Sequence, residues 1–139
     1  HDIKGLLIDI DNTVMDYDYK FIDNLKFWID KMKINGIKIC FVSNTKSLKK
    51  RSLIKNDLKC DIVINANKPL KTGFLKALDI IDLKDENVAV IGDQIFTDIL
   101  GGKRINSHTI YVLPISPKES IMSKVKRPIE KILLKKYNK

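Results

Sequence analysis

The chemistry-bearing residues of this chain stand where apolar runs break off. The first such run ends in two carboxylates, an amide and a hydroxyl: Leu6-Leu7-Ile8-Asp9-Ile10-Asp11-Asn12-Thr13. Paired acids are costly to bring together without a cation or a shared proton, and a turn at Asn12-Thr13 lets both border one site. Taken alone, the pattern also fits a solvated strand end beside a helix cap. The same kind of break recurs at Ser43-Asn44-Thr45, at Lys68-Pro69 and at Gly92-Asp93-Gln94, with Asp98 five residues past Asp93. Asp9, Asp11, Asp93 and Asp98 are hard oxygen donors and suit Mg²⁺. No Cys or His stands among them, which disfavours zinc. Ser43 and Lys68 suit a phosphate, the hydroxyl as hydrogen-bond donor and the ammonium as counter-charge. A cation and a lysine around an anion is what phosphoryl transfer needs, because that chemistry is mostly positioning and charge stabilisation.

The intervening segments show how such groups are brought together. Short apolar runs at 3–10, 37–42, 61–64, 88–91 and 109–113 predict five strands. Helical spacing predicts helices over 20–35, 47–58, 70–81 and 97–105, the last weakened by Gly101-Gly102, and a final basic helix over 128–137. Trp28, spaced with Phe21, Leu25, Ile29 and Met32, is expected in the core. Pro69 is expected at the entry of the third helix. Alternating strands and helices predict an α/β protein with a doubly wound parallel sheet between two helical layers. In such sheets ligands bind beyond the carboxyl ends of the strands, and every polar break above follows a strand. Asp16 and Asp18 read as solvated loop acids, and His108, just before an apolar strand, as packed or surface-lying and not catalytic.

Length and composition set bounds. At 139 residues and 44% apolar content the chain is expected to form one globular domain, 1–139. No run approaches the roughly 18 apolar residues of a membrane span, and a cytoplasmic protein is expected, with Cys40 and Cys60 as buried thiols. The formal charge of +9 is unevenly placed: residues 118–139 carry +6 of it. A basic C-terminal helix at about 117–139 is either solvated or held peripherally at an anionic membrane, on the inner face. Nucleic acid is the weaker option, because Tyr137 is the lone aromatic in that segment.

In order, Asp9-x-Asp11-x-Thr13, Ser43-Asn44, Lys68-Pro69 and Gly92-Asp93-Gln94-Ile95-Phe96-Thr97-Asp98 resemble the four motifs of the haloacid dehalogenase (HAD) superfamily of aspartate-nucleophile phosphatases. Within it, the Asp-Asn-Thr of the first motif and the Leu-Gly-Gly after the fourth are similar to the YqeG-type branch, subfamily IIIA. That branch is in turn similar to phosphatidylglycerophosphate phosphatases. The resemblance implies Asp9 as nucleophile, Asp11 as proton carrier whose backbone carbonyl also faces Mg²⁺, and Thr13 as a support of the loop. It implies Ser43, Asn44 and Lys68 at the substrate phosphate, with Asn44 steadying its loop, and Mg²⁺ held by Asp9, Asp11, Asp93 and Asp98. The substrate would be a phosphate monoester, with a phospholipid head group as the leading candidate. The other reading is a non-catalytic module of the same fold that uses Lys49, Lys50, Arg51 and the basic tail to hold RNA or an acidic partner. Asp11 and Ser43 are separated by 31 residues and Ser43 and Lys68 by 24, room for one helix and one strand each, so no cap domain is expected.

Overall fold

The computed structural model describes residues 1–116 and, beyond them, positions 128, 131, 132, 134 and 135, which are helical. The predicted helix over 128–137 and the basic segment at 117–139 otherwise lie outside the described residues. Five parallel strands form one sheet: β1 (Gly5–Ile8), β2 (Lys38–Val42), β3 (Asp61–Val63), β4 (Val88–Gly92) and β5 (His108–Tyr111), in the order β3-β2-β1-β4-β5. The chain winds outward from β1 to β3, then returns to lay β4 on the other edge of β1. Ile8 is thereby paired with Phe41 on one side and Ile91 on the other.

Period-two alternation divides the strand side chains between two cores. On one face Leu6, Ile8, Ile39, Phe41 and Ala89 pack with Leu25 and Ile29 of α1 (Leu25–Ile34) and with Ile54 of α2 (Leu48–Asp57). On the other, Leu7, Cys40, Val42, Val88 and Val90 pack with Phe74, Ala77, Leu78 and Ile81 of α3 (Lys71–Ile81) and with Ile105, which follows α4 (Leu100–Arg104). This is the expected three-layer doubly wound fold. Among the described residues no cap interrupts the stretches between Asp11 and Ser43 or between Ser43 and Lys68. Both thiols are free and buried, and burial pushes Cys40 up to about 12.

Four local expectations are corrected. The first helix begins at Leu25 and not at residue 20, because Phe21 bridges Met15 in a small antiparallel loop. Trp28 is 37% exposed, on the rim of an apolar hollow of about 610 Å³ bounded by Ile22, Ile91, Ile110 and Leu113. Pro69 lies ahead of the helix N-cap Leu70, joined to Lys68 by a cis peptide. The predicted helix over 97–105 is two pieces, a single π turn Ile95–Ile99 followed by α4. Its glycines are packing devices: a Cβ on Gly101 would come within 2.3 Å of the Phe74 ring, and one on Gly102 within 2.6 Å of Thr109.

Candidate active site

The strand order places the carboxyl ends of β1 and β4 side by side at the point where the winding direction reverses, the usual ligand position in such sheets. Asp9 is the first residue beyond β1 and its N–H still donates to Ile91 O (2.9 Å). The next turn is tight: the N–H groups of Thr13, Val14 and Met15 all converge on Ile10 O (3.0–3.2 Å), with Asn12 in the left-handed region at φ 64°. This reversal leaves Asp9 facing inward, 8% exposed, and sends the Asp11 side chain to the rim, where it pairs with Lys50 of α2.

Four strand ends then converge. Lys68, in the loop after β3, places Nζ 2.6 Å from Asp9 Oδ1 and 2.6 Å from Asp98 Oδ1, with 3% of its side chain exposed. Asp93 follows β4 directly and is fully buried. The Thr13 hydroxyl lies 3.0 Å from Asp9 Oδ2 and 3.1 Å from Asp93 Oδ1, so its single proton is shared between two carboxylates. Asp98 projects back from the π turn, its Oδ2 accepting from Gln94 N–H at 3.1 Å. That close return requires Gly92: a Cβ there would stand 2.2 Å from Asp98 Oδ2.

The supporting loop is equally determined. Both ends of the Asn44 amide are spent on the Lys68 backbone, Oδ1 accepting from its N–H (2.7 Å) and Nδ2 donating to its carbonyl (3.1 Å). Asn44 therefore places Lys68, and any part it has in phosphate binding runs through that lysine. Ser43, 1% exposed, begins a relay of short turns in which each hydroxyl accepts from a backbone N–H further on: Ser43 from Thr45, Thr45 from Ser47, and Ser47 from Lys50.

The electrostatics follow from burial. Oxygens of Asp9, Asp93 and Asp98 lie within 4.8 Å of one another, offset by one ammonium. Desolvation, then Asp98, raises Asp9 to about 6 although Lys68 pulls it down. Burial likewise raises Asp98, against the pull of Lys68. Burial disfavours the Lys68 ammonium, but its two carboxylate partners outweigh that and keep it charged. Three buried carboxylates gathered within reach of one another suit a hard divalent cation with oxygen ligands. The Asp11 carboxylate stands outside this triad.

Two contacts escaped the sequence reading. Lys50 reads in the sequence as a candidate contact to RNA or an acidic partner, and nothing there signals its pairing with Asp11. Asn12 links the catalytic-loop region to the far end of the chain: its Oδ1 accepts from Ser116 N–H (2.8 Å) and its Nδ2 donates to Ser116 O (3.0 Å). Nothing local in the sequence signals a partner 104 residues away.

A doubly wound sheet with buried acids and a lysine at its switch point defines a class of hydrolases, and comparison with known proteins agrees. Residues 65–124 match the HAD-hydrolase-like family model. The chain is 35% identical over 133 residues to the probable phosphatase YqeG of Bacillus subtilis (strain 168), covering 95% of this chain and 77% of that protein. In fold it is similar to a p-nitrophenyl phosphatase from Archaeoglobus fulgidus (TM-score 0.64, 19% identity, 91% of this chain and 93% of that one). It is similar also to a hydrolase from Streptococcus pneumoniae TIGR4 (TM-score 0.68, 11% identity, 94% and 100%). The chain belongs to the haloacid dehalogenase superfamily of hydrolases, in its YqeG-type phosphatase branch.

Proposed function

We propose that this phosphatase hydrolyses a phosphate monoester in two displacements at Asp9, with Mg²⁺ as cofactor and phosphatidylglycerophosphate as the leading substrate. The observation that carries the reading is the buried cluster of Asp9, Lys68, Asp93 and Asp98. Burying so many charges costs several kcal/mol per ion before compensation, and neither packing nor simple adhesion requires it.

In the first displacement an Asp9 oxygen attacks phosphorus, the P–O bond to the alcohol breaks, and Asp11 gives its proton to the departing alkoxide. In the second, Asp11 takes a proton from water as the water oxygen attacks phosphorus. The bond to Asp9 then breaks and inorganic phosphate leaves. Ser43 donates to a phosphoryl oxygen, and Lys68 counters the charge of nucleophile and phosphate together. Thr13 and Asn44 hold Asp9 and Lys68 in place. The carboxylates of Asp9, Asp93 and Asp98 with the main-chain carbonyl of Asp11 would hold Mg²⁺, which supplies positive charge for the phosphoryl oxygens.

The two positions of Asp9 and Asp11, one enclosed beside Lys68 and one at the rim, support this division of roles. Absence of a cap among the described residues leaves the site open, which suits a bulky ester presented at a surface. The YqeG-type branch membership supports the lipid head group as substrate, and mixed micelles of phosphatidylglycerophosphate are the assay for it. The purified protein is expected to release phosphate from p-nitrophenyl phosphate with Mg²⁺ and not with excess chelator. Asp9→Asn should lower turnover by at least about 10³-fold; full activity in that variant overturns the mechanism. The alternative, a binding module for RNA or an acidic partner, predicts salt-sensitive RNA binding unchanged by Asp9→Asn and no turnover of any ester.

A further inference from the structure

The first turn of α2 holds Lys49 and Lys50, with Arg51 next, and no acid. This is the end of a helix where the macrodipole disfavours cations, so the arrangement runs against local preference, as functional sites often do. Lys50 is not solvated: 17% of its side chain is exposed and its ammonium meets the Asp11 carboxylate. Opposite stands Tyr19, with Lys49 Nζ 4.1 Å and Lys50 Nζ 5.6 Å from its ring centroid.

Both walls are built. Tyr19 sits in the left-handed region at φ 62° in a loop tied by Asp16, whose Oδ1 accepts from the N–H groups of Asp18 (2.8 Å) and Lys20 (2.9 Å). Lys50 is fixed through the relay of hydroxyl turns that starts at Ser43, ending where its own N–H donates to the Ser47 hydroxyl. The Lys50 ammonium thus meets the carboxyl group that, on the reading above, faces the leaving oxygen, and Tyr19 and Lys49 stand next to Lys50.

We propose that Lys49, Lys50 and Tyr19 form a subsite for a second anionic group carried by the alcohol part of the substrate. This rests on Asp11 facing the leaving oxygen: an anion two or three bonds further along the same alcohol then comes to Lys50. Lys50 is paired with Asp11; an anion on the substrate takes over the ammonium, and the Asp11 carboxyl, with the proton it delivers, turns to the leaving oxygen. The pair is partly open to water, so exchanging one partner for the other costs little. The substrate class is a phosphate monoester whose alcohol bears a carboxylate or a further phosphate group close by.

The test compares 3-phosphoglycerate with glycerol 3-phosphate, esters of similar size that differ in a carboxylate. With Mg²⁺, kcat/KM of the wild type should favour the carboxylate-bearing ester about tenfold, the size of one charge-assisted contact. Lys50→Met should bring that ratio close to one, chiefly through KM. Lys50→Arg should retain it, and Lys49→Met should reduce it by a smaller factor. A merely structural role for Lys50 lowers both esters alike and leaves the ratio standing, which overturns the subsite, as does a wild type without preference. Should Lys50→Met fail to fold, the wild-type ratio and Lys49→Met still decide. A wild type that hydrolyses p-nitrophenyl phosphate but neither of these two esters overturns the subsite and leaves the phosphatase mechanism standing; one that hydrolyses none of the three overturns the mechanism, and the subsite with it.

Discussion

Asp9 carries a cost that a bound cation would remove. Its carboxyl titrates near 6 in the folded chain against 3.8 for the ordinary group, mainly because it is buried. The folded state therefore holds a proton that the unfolded state has already lost, and the metal-free fold loses stability as pH rises through that window. On the proposed ligand set Mg²⁺ would compete with this proton, so the rise in Tm on adding Mg²⁺ should be larger at about pH 8 than at about pH 5. Equal rises at both would take Asp9 out of the ligand set. Lys68 remains charged throughout and does not alter the sign. The acids and Lys68 were legible in the sequence because each interrupts or closely follows an apolar strand, where a charged group has little other reason to stand. Lys50 was not, since a lysine on a polar helix looks the same whether it meets water or Asp11.

Elements position these groups by close approach, and glycine makes two of the approaches possible. Gly92 lets Asp98 fold back over the end of β4; Gly101 lets α4 press on Phe74. Gly92→Ala should displace Asp98, lowering Mg²⁺-dependent turnover by about a hundredfold or more and shrinking the Mg²⁺-induced rise in Tm. A variant with full turnover would show that Asp98 is dispensable. The strands were readable from apolar runs alone, because a sheet buried on both faces leaves few polar residues inside them. Helix limits were less so. Phe21 keeps helical spacing with Leu25 yet belongs to a loop ladder with Met15. Gly101 and Gly102 read as helix weakeners, whereas they serve contacts with Phe74 and Thr109 that no local pattern encodes. The π turn before α4 answers to the placement of Asp98, a demand of tertiary structure.

At the scale of the molecule, charge and exposure are unevenly shared. No helix among the described residues is long and apolar enough to cross a membrane, yet residues 118–139 hold +6 of the net +9. If this end meets an anionic bilayer, each lysine near the surface contributes about 1 kcal/mol. The protein should then sediment with phosphatidylglycerol vesicles at low salt and far less at about 0.5 M, where screening is short-ranged. A chain ending at Ser116 should not sediment at either; equal binding of both chains would assign the contact elsewhere. The strand order has a consequence for how the enzyme comes into being. β1 lies at the centre, but the strand that closes its second edge, β4, is synthesised after β2 and β3. A nascent chain can pair β1 with β2 and β2 with β3 early and still lack Asp93 and Asp98. Asp9 is synthesised well before Asp93 and Asp98, so its buried surroundings are completed only once β4 has followed β3. On the proposed mechanism, a chain arrested before β4 carries Asp9 without Asp93 and Asp98, the carboxylates that would join it in holding a cation.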